Sequence, residues 1–385
     1  MIVRRAFSAI RTRRATALWI GGLVLTVLSV SQAQVDSRRI EEVFKKSVLT
    51  QEDFEVIDAF ASDAIGRLVR TIDFTEVAKT RASIVSRQGA QAQYAQRFSE
   101  ACSREIQAGF DYANEQITDP QRRFKVFANL LILVNELNDP RLIDLAVGMI
   151  GHEASAVQYW AIRAATNPAT WEKLSQDQAA AAATARKILD ASAKAVGTSS
   201  PEVLSLMSQF AGRYDTAPAG DLLVNIAEVR IQNYADGTAG YELVDAAILK
   251  QLSGKIAANG QAARAFAQLY SYAIQRYLRG MQNNSLKGMS QGYLASVLIE
   301  TEEQCLSKLL GGTQTGIRRA LEAGDANALQ AEHDRLLGNA GTPGVLSTKF
   351  NINYGTGGVN RTMPLALPEP QPSRPAPASQ PPAQS

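Results

Sequence analysis

The chain has 385 residues, of which 45% are hydrophobic, 7% aromatic and 20% charged, so it can form a core and is not disordered throughout. Its formal net charge of +3 comes from five arginines within residues 1–33, and the remaining residues carry 35 basic and 37 acidic groups. That balance excludes the strong positive charge typical of nucleic-acid-binding proteins, and we expect no nucleic-acid partner.

Residues 1–33 are typical of an export signal. The five arginines precede an uncharged, largely apolar stretch, and Ser31-Gln32-Ala33 supplies small residues for a signal peptidase. We therefore expect residues 1–33 to be a cleaved signal peptide and the chain to be exported to the periplasm or cell envelope. The alternative is an uncleaved leader that anchors the chain in the membrane, because about 20 apolar residues span a bilayer.

Apolar residues at helical spacing predict helices throughout residues 34–338. Thr50 and Asp53 form a capping box at the start of the first of them. The pairs Asp119-Pro120, Asp139-Pro140, Asn167-Pro168 and Ser200-Pro201 each combine a good N-cap residue with a proline suited to the first helical position. Further helices are predicted over residues 88–117, 122–138, 180–195, 221–232, 241–257, 262–279, 291–310, 316–323 and 325–337.

This pattern predicts an all-α fold of antiparallel helical hairpins. Residues 350–354 alternate in polarity, but a lone strand does not make a sheet. We divide the chain into the signal peptide, an N-terminal helical region (34–118), a helical-repeat domain (119–338) and a flexible tail rich in glycine and proline (339–385). Eight of the fourteen prolines lie in residues 364–382, so we expect this tail to be disordered and to act as a tether or spacer.

Residues 139–166 resemble one repeat of the HEAT and armadillo-like helical-repeat families. Asp139-Pro140-Arg141-Leu142-Ile143 opens a helix, a break falls at Gly151-His152-Glu153, and a second helix carries Val157-Gln158 and the small residues after it. Gln158 departs from the families' pattern, which has a basic residue there. The resemblance implies an α-α superhelix of stacked helix pairs that presents a surface to a partner. It implies no catalytic residues.

Cys102 and Cys305, the only cysteines, each lie on an apolar helical stripe. That setting favours two small buried thiols. The alternative is a disulfide between them, which an oxidising compartment permits.

Gly288-Met289-Ser290-Gln291-Gly292 matches the Gly-x-Ser-x-Gly motif of serine hydrolases, with His333 and Asp325 downstream. The motif works when a strand-to-helix turn exposes the serine. Because a polar stretch precedes Ser290, we expect this serine to be the N-cap of a helix that begins at Gln291. We expect no catalytic residues, and a serine hydrolase that uses Ser290 is the alternative.

The sequence predicts no metal or cofactor site. His152 and His333 are the only histidines, and neither has a second ligand at suitable spacing. We expect His152 to lie in a solvated loop. Glu300, Glu302 and Glu303 are typical of an exposed helix face, with a carboxylate cation site as the alternative.

Trp160 and Trp171 flank the turn at Asn167-Pro168. Tryptophan is enriched at binding hot spots, so Tyr159, Trp160, Arg163 and Trp171 are a candidate partner surface, with core packing as the alternative. We expect an exported, non-enzymatic helical scaffold that binds a protein or cell-envelope polymer.

Overall fold

The computed structural model describes residues 38–355 and 359–369. Within these ranges the chain is helical almost throughout, and its only β pairing is an isolated bridge between Gly338 and Pro343. The predicted all-α class is confirmed. No helix within the same ranges is long and apolar enough to cross a membrane. The predicted signal peptide (1–33) and most of the proline-rich tail (370–385) lie outside the described residues.

A helical segment at 38–44 precedes seventeen named α-helices of the described chain. They are α1 (Gln51–Arg70), α2 (Phe74–Val85), α3 (Ala92–Gln116), α4 (Pro120–Leu137), α5 (Ile143–Val147), α6 (Ser155–Ala165), α7 (Pro168–Leu174), α8 (Gln178–Ala195), α9 (Pro201–Ala211), α10 (Ala217–Ala235), α11 (Leu243–Ser253), α12 (Gly260–Gln282), α13 (Gly288–Thr301), α14 (Ser307–Leu310), α15 (Gly316–Ala323), α16 (Ala326–Leu337) and α17 (Val345–Phe350). Short 3₁₀ turns lie at Pro140–Leu142 and Val196–Thr198, and a π-helical turn at Glu302–Leu306 joins α13 to α14.

The predicted helix starts are present because their signals are local. Thr50 and Asp53 form the capping box of α1. The side chains of Asp119, Asp139 and Asn167 each accept a hydrogen bond from the backbone N–H two residues later. These bonds satisfy donors that have no partner within the helix. Ser200 precedes α9 without such a side-chain bond.

The helices between α4 and α16 pack in two rows. In one row α4, α6, α9, α11 and α13 each contact the next, and in the other row α8, α10, α12 and α16 do so. Contacts between the rows join chain neighbours such as α9 with α10 and α11 with α12. At the N-terminal end, α1 packs against α3, and α2 against α4.

One cluster of buried apolar side chains runs from Ile40 to Leu367. Among the described helices, α12 contributes the most buried residues, and Phe266, Tyr270 and Ile274 are fully enclosed. It contacts α10, α11, α13 and α16. This central helix is therefore held on several sides by packed neighbours.

A buried ion pair joins α10 to α11. The Arg230 guanidinium donates to both carboxylate oxygens of Asp245, at 2.6 and 3.0 Å, and neither side chain is exposed. Tyr234 Oη also donates to Asp245, and Arg230 donates to the Gly240 carbonyl in the loop between the helices. Arg276 of α12 reaches the same loop, where it pairs with Glu242 at 2.8 Å. Charged groups thus hold this loop against three helices.

The structure corrects the predicted start of the flexible tail at residue 339. Residues 339–355 include α17 and pack on the body, with Leu346, Ile352 and Tyr354 buried. The Tyr354 hydroxyl donates to the Leu337 carbonyl at 3.1 Å. These apolar side chains are numerous enough to hold the segment, although glycines between them favoured a linker. Residues 359–369 also lie on the body.

The predicted helix over 291–310 is also corrected. It begins at Gly288, with Lys287 as its N-cap, so Ser290 lies in the first turn and is not the cap. The π-helical turn interrupts it and carries Glu302, which is fully buried. Its two carboxylate oxygens accept hydrogen bonds from the backbone N–H groups of Ile317 and Arg318, at 2.7 and 2.9 Å. Glu302 therefore caps α15, and the exposed acidic face predicted for it is wrong.

Candidate functional site

The C-terminal segment (residues 361–369) lies along one face of α12. Four side chains of that helix face it, with the spacing of successive turns: Gln268, Tyr272, Gln275 and Arg279. We call the surface formed by these four residues the α12 groove. Each of the four hydrogen-bonds to the main chain of the C-terminal segment.

Gln268 pairs with both backbone groups of Leu365. The Leu365 N–H donates to Gln268 Oε1 at 2.8 Å, and Gln268 Nε2 donates to the Leu365 carbonyl at 3.2 Å. A primary amide has the same donor and acceptor groups as a peptide unit, so this pair reproduces the bonding of two adjacent strands. It depends on the main chain of Leu365 and not on its side chain.

Gln275 repeats this arrangement further along the helix. The Leu367 N–H donates to Gln275 Oε1 at 2.6 Å, and Gln275 Nε2 donates to the Leu365 carbonyl at 3.1 Å. Tyr272 Oη lies between the two glutamines and donates to the Ala366 carbonyl at 3.4 Å. The two glutamines therefore hold alternate N–H groups of the segment.

Arg279 closes the end of the groove. Its Nη2 donates to the Leu367 carbonyl at 2.6 Å and its Nη1 to the Pro368 carbonyl at 2.7 Å. Glu369 lies 3.9 Å from the same guanidinium but is largely exposed, so that ion pair contributes little.

Two side chains of the C-terminal segment, three residues apart, face the body of the protein. Pro364 and Leu367 are buried, whereas Leu365, Ala366 and Pro368 are exposed. Residues 364–369 form neither a helix nor a strand, so their main-chain N–H and carbonyl groups are available to the side chains of α12.

A series of hydrogen-bonded side chains behind Gln275 holds its amide in position. Gln275 Nε2 donates to Ser271 Oγ at 2.8 Å, and Ser271 Oγ lies in turn 2.8 Å from His333 Nε2. His333 Nδ1 lies 3.0 Å from Asp334 Oδ1. The order serine, histidine, aspartate is that of a hydrolase triad, but the Ser271 side chain is fully enclosed, so a substrate carbonyl cannot reach its oxygen. This chain of groups orients the Gln275 amide toward the segment.

We expect the stability of the protein to fall as the pH drops from 7.5 to 5.5. Burial lowers the pKa of both His333 and His152, so the unfolded chain takes up protons that the folded chain does not. The free energy of unfolding is therefore highest above the unfolded-state pKa, which is near 6.5. Below that pH it decreases, by at most about 1.4 kcal/mol per pH unit for each histidine. Denaturant titrations at several pH values measure this slope.

The control is the double variant His152→Gln, His333→Gln. Because the chain has only two histidines, its unfolding free energy should depend much less on pH in this range. If the unfolding free energy depended on pH equally steeply in the variant and the unaltered chain, groups other than the histidines would be responsible for the effect.

A cavity of about 520 Å³ lies where the groove ends. Its walls include Arg276, Arg279, Tyr234 and Asp236, together with Leu367 and Glu369 of the C-terminal segment. The Arg276 guanidinium lies over the Tyr234 ring at 5.6 Å, so one wall is a cation–π pair. The buried Arg230–Asp245 pair supports this wall through Tyr234.

The predicted partner surface divides into two parts. Tyr159 and Trp160 lie edge to face at 5.5 Å, and the exposed Arg163 lies over both rings. Trp171 is separate from them: it packs on Phe210 and donates its indole N–H to the Ala165 carbonyl. A partner-binding role for these residues stays a prediction.

The other residues singled out in the sequence have no catalytic geometry. Ser290 is exposed, no strand precedes it among the described residues, and His333 contacts Ser271. His152 lies in the predicted break between helices, but its ring is half-buried and lies edge-on to Phe124 and Phe127, at 5.4 and 5.3 Å, so the side chain is not fully solvated as expected. Within the described ranges, no three histidine, cysteine or acidic side chains are grouped to hold a metal ion.

Cys102 and Cys305 are both free and buried, and the disulfide that the sequence permits is not formed. Cys102 borders a cavity of about 360 Å³ between the start of α3 and the turn at Pro140. Burial raises the pKa of both thiols. They therefore stay protonated at neutral pH and are poor nucleophiles.

Comparison of the chain with protein-family models, with curated proteins and with solved structures found no match. The interpretation of the α12 groove therefore depends on its own geometry. Sequence reasoning missed this groove, although the glutamines and Arg279 at helical spacing on α12 and the leucines among the prolines were visible signals.

Proposed function

We propose that the protein is a helical scaffold that binds extended peptide segments in the α12 groove, and that residues 361–369 are its own ligand for this groove. The observation that carries the proposal is the set of hydrogen bonds from four α12 side chains to the main chain of Leu365, Ala366, Leu367 and Pro368. These bonds involve main-chain atoms of the ligand, so a segment of another protein that has N–H groups at the same positions can also make them.

The arrangement of the helices supports this proposal. Packed helix pairs give a rigid frame, and the HEAT-like resemblance of residues 139–166 implies a superhelical stack with a partner-binding surface. Because α12 is held by α10, α11, α13 and α16, its side chains are organised before a ligand binds. Preorganisation lowers the cost of ordering the groove.

The leader supports a second element of the proposal, which is that this scaffold acts in the periplasm or cell envelope. In that setting the partner is an envelope protein with an extended segment. Residues 370–385 follow the bound segment directly and contain six of the prolines. We propose that this proline-rich stretch acts as a tether or spacer and that the groove holds the point from which it starts.

The test is binding of a labelled peptide with the sequence of residues 361–370, measured by fluorescence anisotropy on the full chain. In the unaltered chain the peptide competes with a tethered ligand, and in Leu367→Asp the tethered ligand is released because a charge replaces a buried leucine. Tethered ligands act at effective concentrations near the millimolar range. We expect Leu367→Asp to bind the peptide at least about tenfold more tightly than the unaltered chain does.

The matched control is Leu365→Asp, which introduces the same charge at an exposed side chain of the same segment. It should bind the labelled peptide as weakly as the unaltered chain. A Leu367→Asp chain that is folded but binds no peptide would overturn the proposed function.

A further inference from the structure

We infer that the α12 groove selects a defined class of peptide, an extended segment with proline at one position and leucine three residues later, and without proline at the positions whose N–H groups the glutamines bind. This inference rests on the proposed function and names its ligand class. It comes from two independent features of the bound segment, namely which side chains are buried and which N–H groups are used.

Burial defines the first part of this selectivity. Pro364 and Leu367 face the body of the protein, and the two residues between them face solvent. Leu367 is 7% exposed, whereas Leu365 is 41% exposed. Apolar side chains are therefore required at the first and fourth positions, and the second and third positions accept varied residues.

Hydrogen bonding defines the second part. The N–H groups of Leu365 and Leu367 donate to Gln268 and Gln275. Proline has no N–H, so proline at either position would leave a glutamine oxygen without its partner. Pro364, at the first position of the motif, and Pro368 have no N–H, and the N–H of Ala366 donates to none of the groove side chains. Proline is thus compatible with positions 364, 366 and 368 of the segment and is excluded from positions 365 and 367.

The rest of the tail supports this rule, because no other proline in it meets both conditions. Pro372 is followed three residues later by Pro375, which lacks the required N–H. Pro368 is followed at the same distance by the polar Gln371. Pro375 is followed at that distance by Ala378, whose side chain is much smaller than leucine. In this proline-rich sequence the combination occurs at Pro364–Leu367, the stretch that lies in the groove.

The experiment compares four labelled peptides on the full-length Leu367→Asp chain. They are the parent sequence of residues 361–370 and the single substitutions Leu365→Pro, Ala366→Pro and Glu369→Gln. Leu365→Pro should weaken binding about tenfold or more, because it removes the donor to a buried glutamine oxygen. Ala366→Pro inserts the same residue where no N–H is used, so its binding should be unchanged or tighter.

Glu369→Gln should change the affinity by less than about threefold, because the carboxylate is exposed. Equal affinities for Leu365→Pro and Ala366→Pro would overturn the selectivity inferred here while leaving peptide binding intact. Failure of the parent peptide to bind would instead remove the proposed function, so the two failures are distinguishable.

Discussion

Replacing Asp245 with alanine is expected to lower the free energy of unfolding by about 3–5 kcal/mol, the largest effect that we predict for a single substitution. The variant leaves Arg230 charged and fully enclosed, with the Gly240 carbonyl as its one remaining hydrogen-bond acceptor and the Tyr234 ring beside it. It also removes the acceptor of Tyr234 Oη. An unpaired buried charge costs far more than an exposed ion pair contributes. Chemical denaturation followed by circular dichroism measures the loss.

Two comparisons make this prediction specific. Asp221→Ala removes an exposed carboxylate from α10 and should change the stability by less than about 0.5 kcal/mol. The double variant Arg230→Leu, Asp245→Leu removes both charges and should recover much of the loss, because hydrophobic residues often replace a buried pair without cost. If Asp245→Ala were as stable as Asp221→Ala, the ion pair would not be buried as described.

Replacing Glu302 with alanine is expected to destabilise the protein by about 2–4 kcal/mol. Two backbone N–H groups at the start of α15 donate to its carboxylate in an enclosed site. Alanine leaves both donors without a partner and also opens space at the π-helical turn. Thermal unfolding of the variant should show a clearly lower midpoint, with the start of α15 and the chain before it the first to lose protection in hydrogen exchange.

The control for this substitution lies on the same helix. Glu300 is exposed and two residues earlier, so Glu300→Ala removes the same charge without removing a cap. It should leave the midpoint nearly unchanged. Equal midpoints for the two variants would contradict the capping role of Glu302.

The α12 groove and the side chains behind it bring together partners that are distant in sequence. Gln268 and Leu365 are 97 residues apart, and Ser271 and His333 are 62 apart. A glutamine on a helix has the same local pattern whether water or another segment covers it. No reading of α12 alone could therefore assign Gln268 and Gln275 to a groove.

The C-terminal tail is a second case in which the local sequence pattern could not predict a contact. Its prolines predict a segment that cannot bury enough apolar surface to become ordered. Pro364 and Leu367 are nevertheless buried, because a preformed helix supplies both an apolar surface and hydrogen-bond partners for the main chain. Two buried side chains and a few side-chain bonds are sufficient when the receiving surface is already rigid.

The helical class and most helix starts follow from the amino-acid sequence alone. Capping by Asp119, Asp139 and Asn167 joins atoms two residues apart, and the apolar stripe of α12 repeats within single turns, so both signals are complete within a short stretch. Tertiary packing determines that Glu302 caps another helix, that a π-helical turn joins α13 to α14, and that residues 361–369 lie on α12. Those features depend on which surfaces pack against each other, and the free energy of that packing is a property of the folded molecule and not of any local segment.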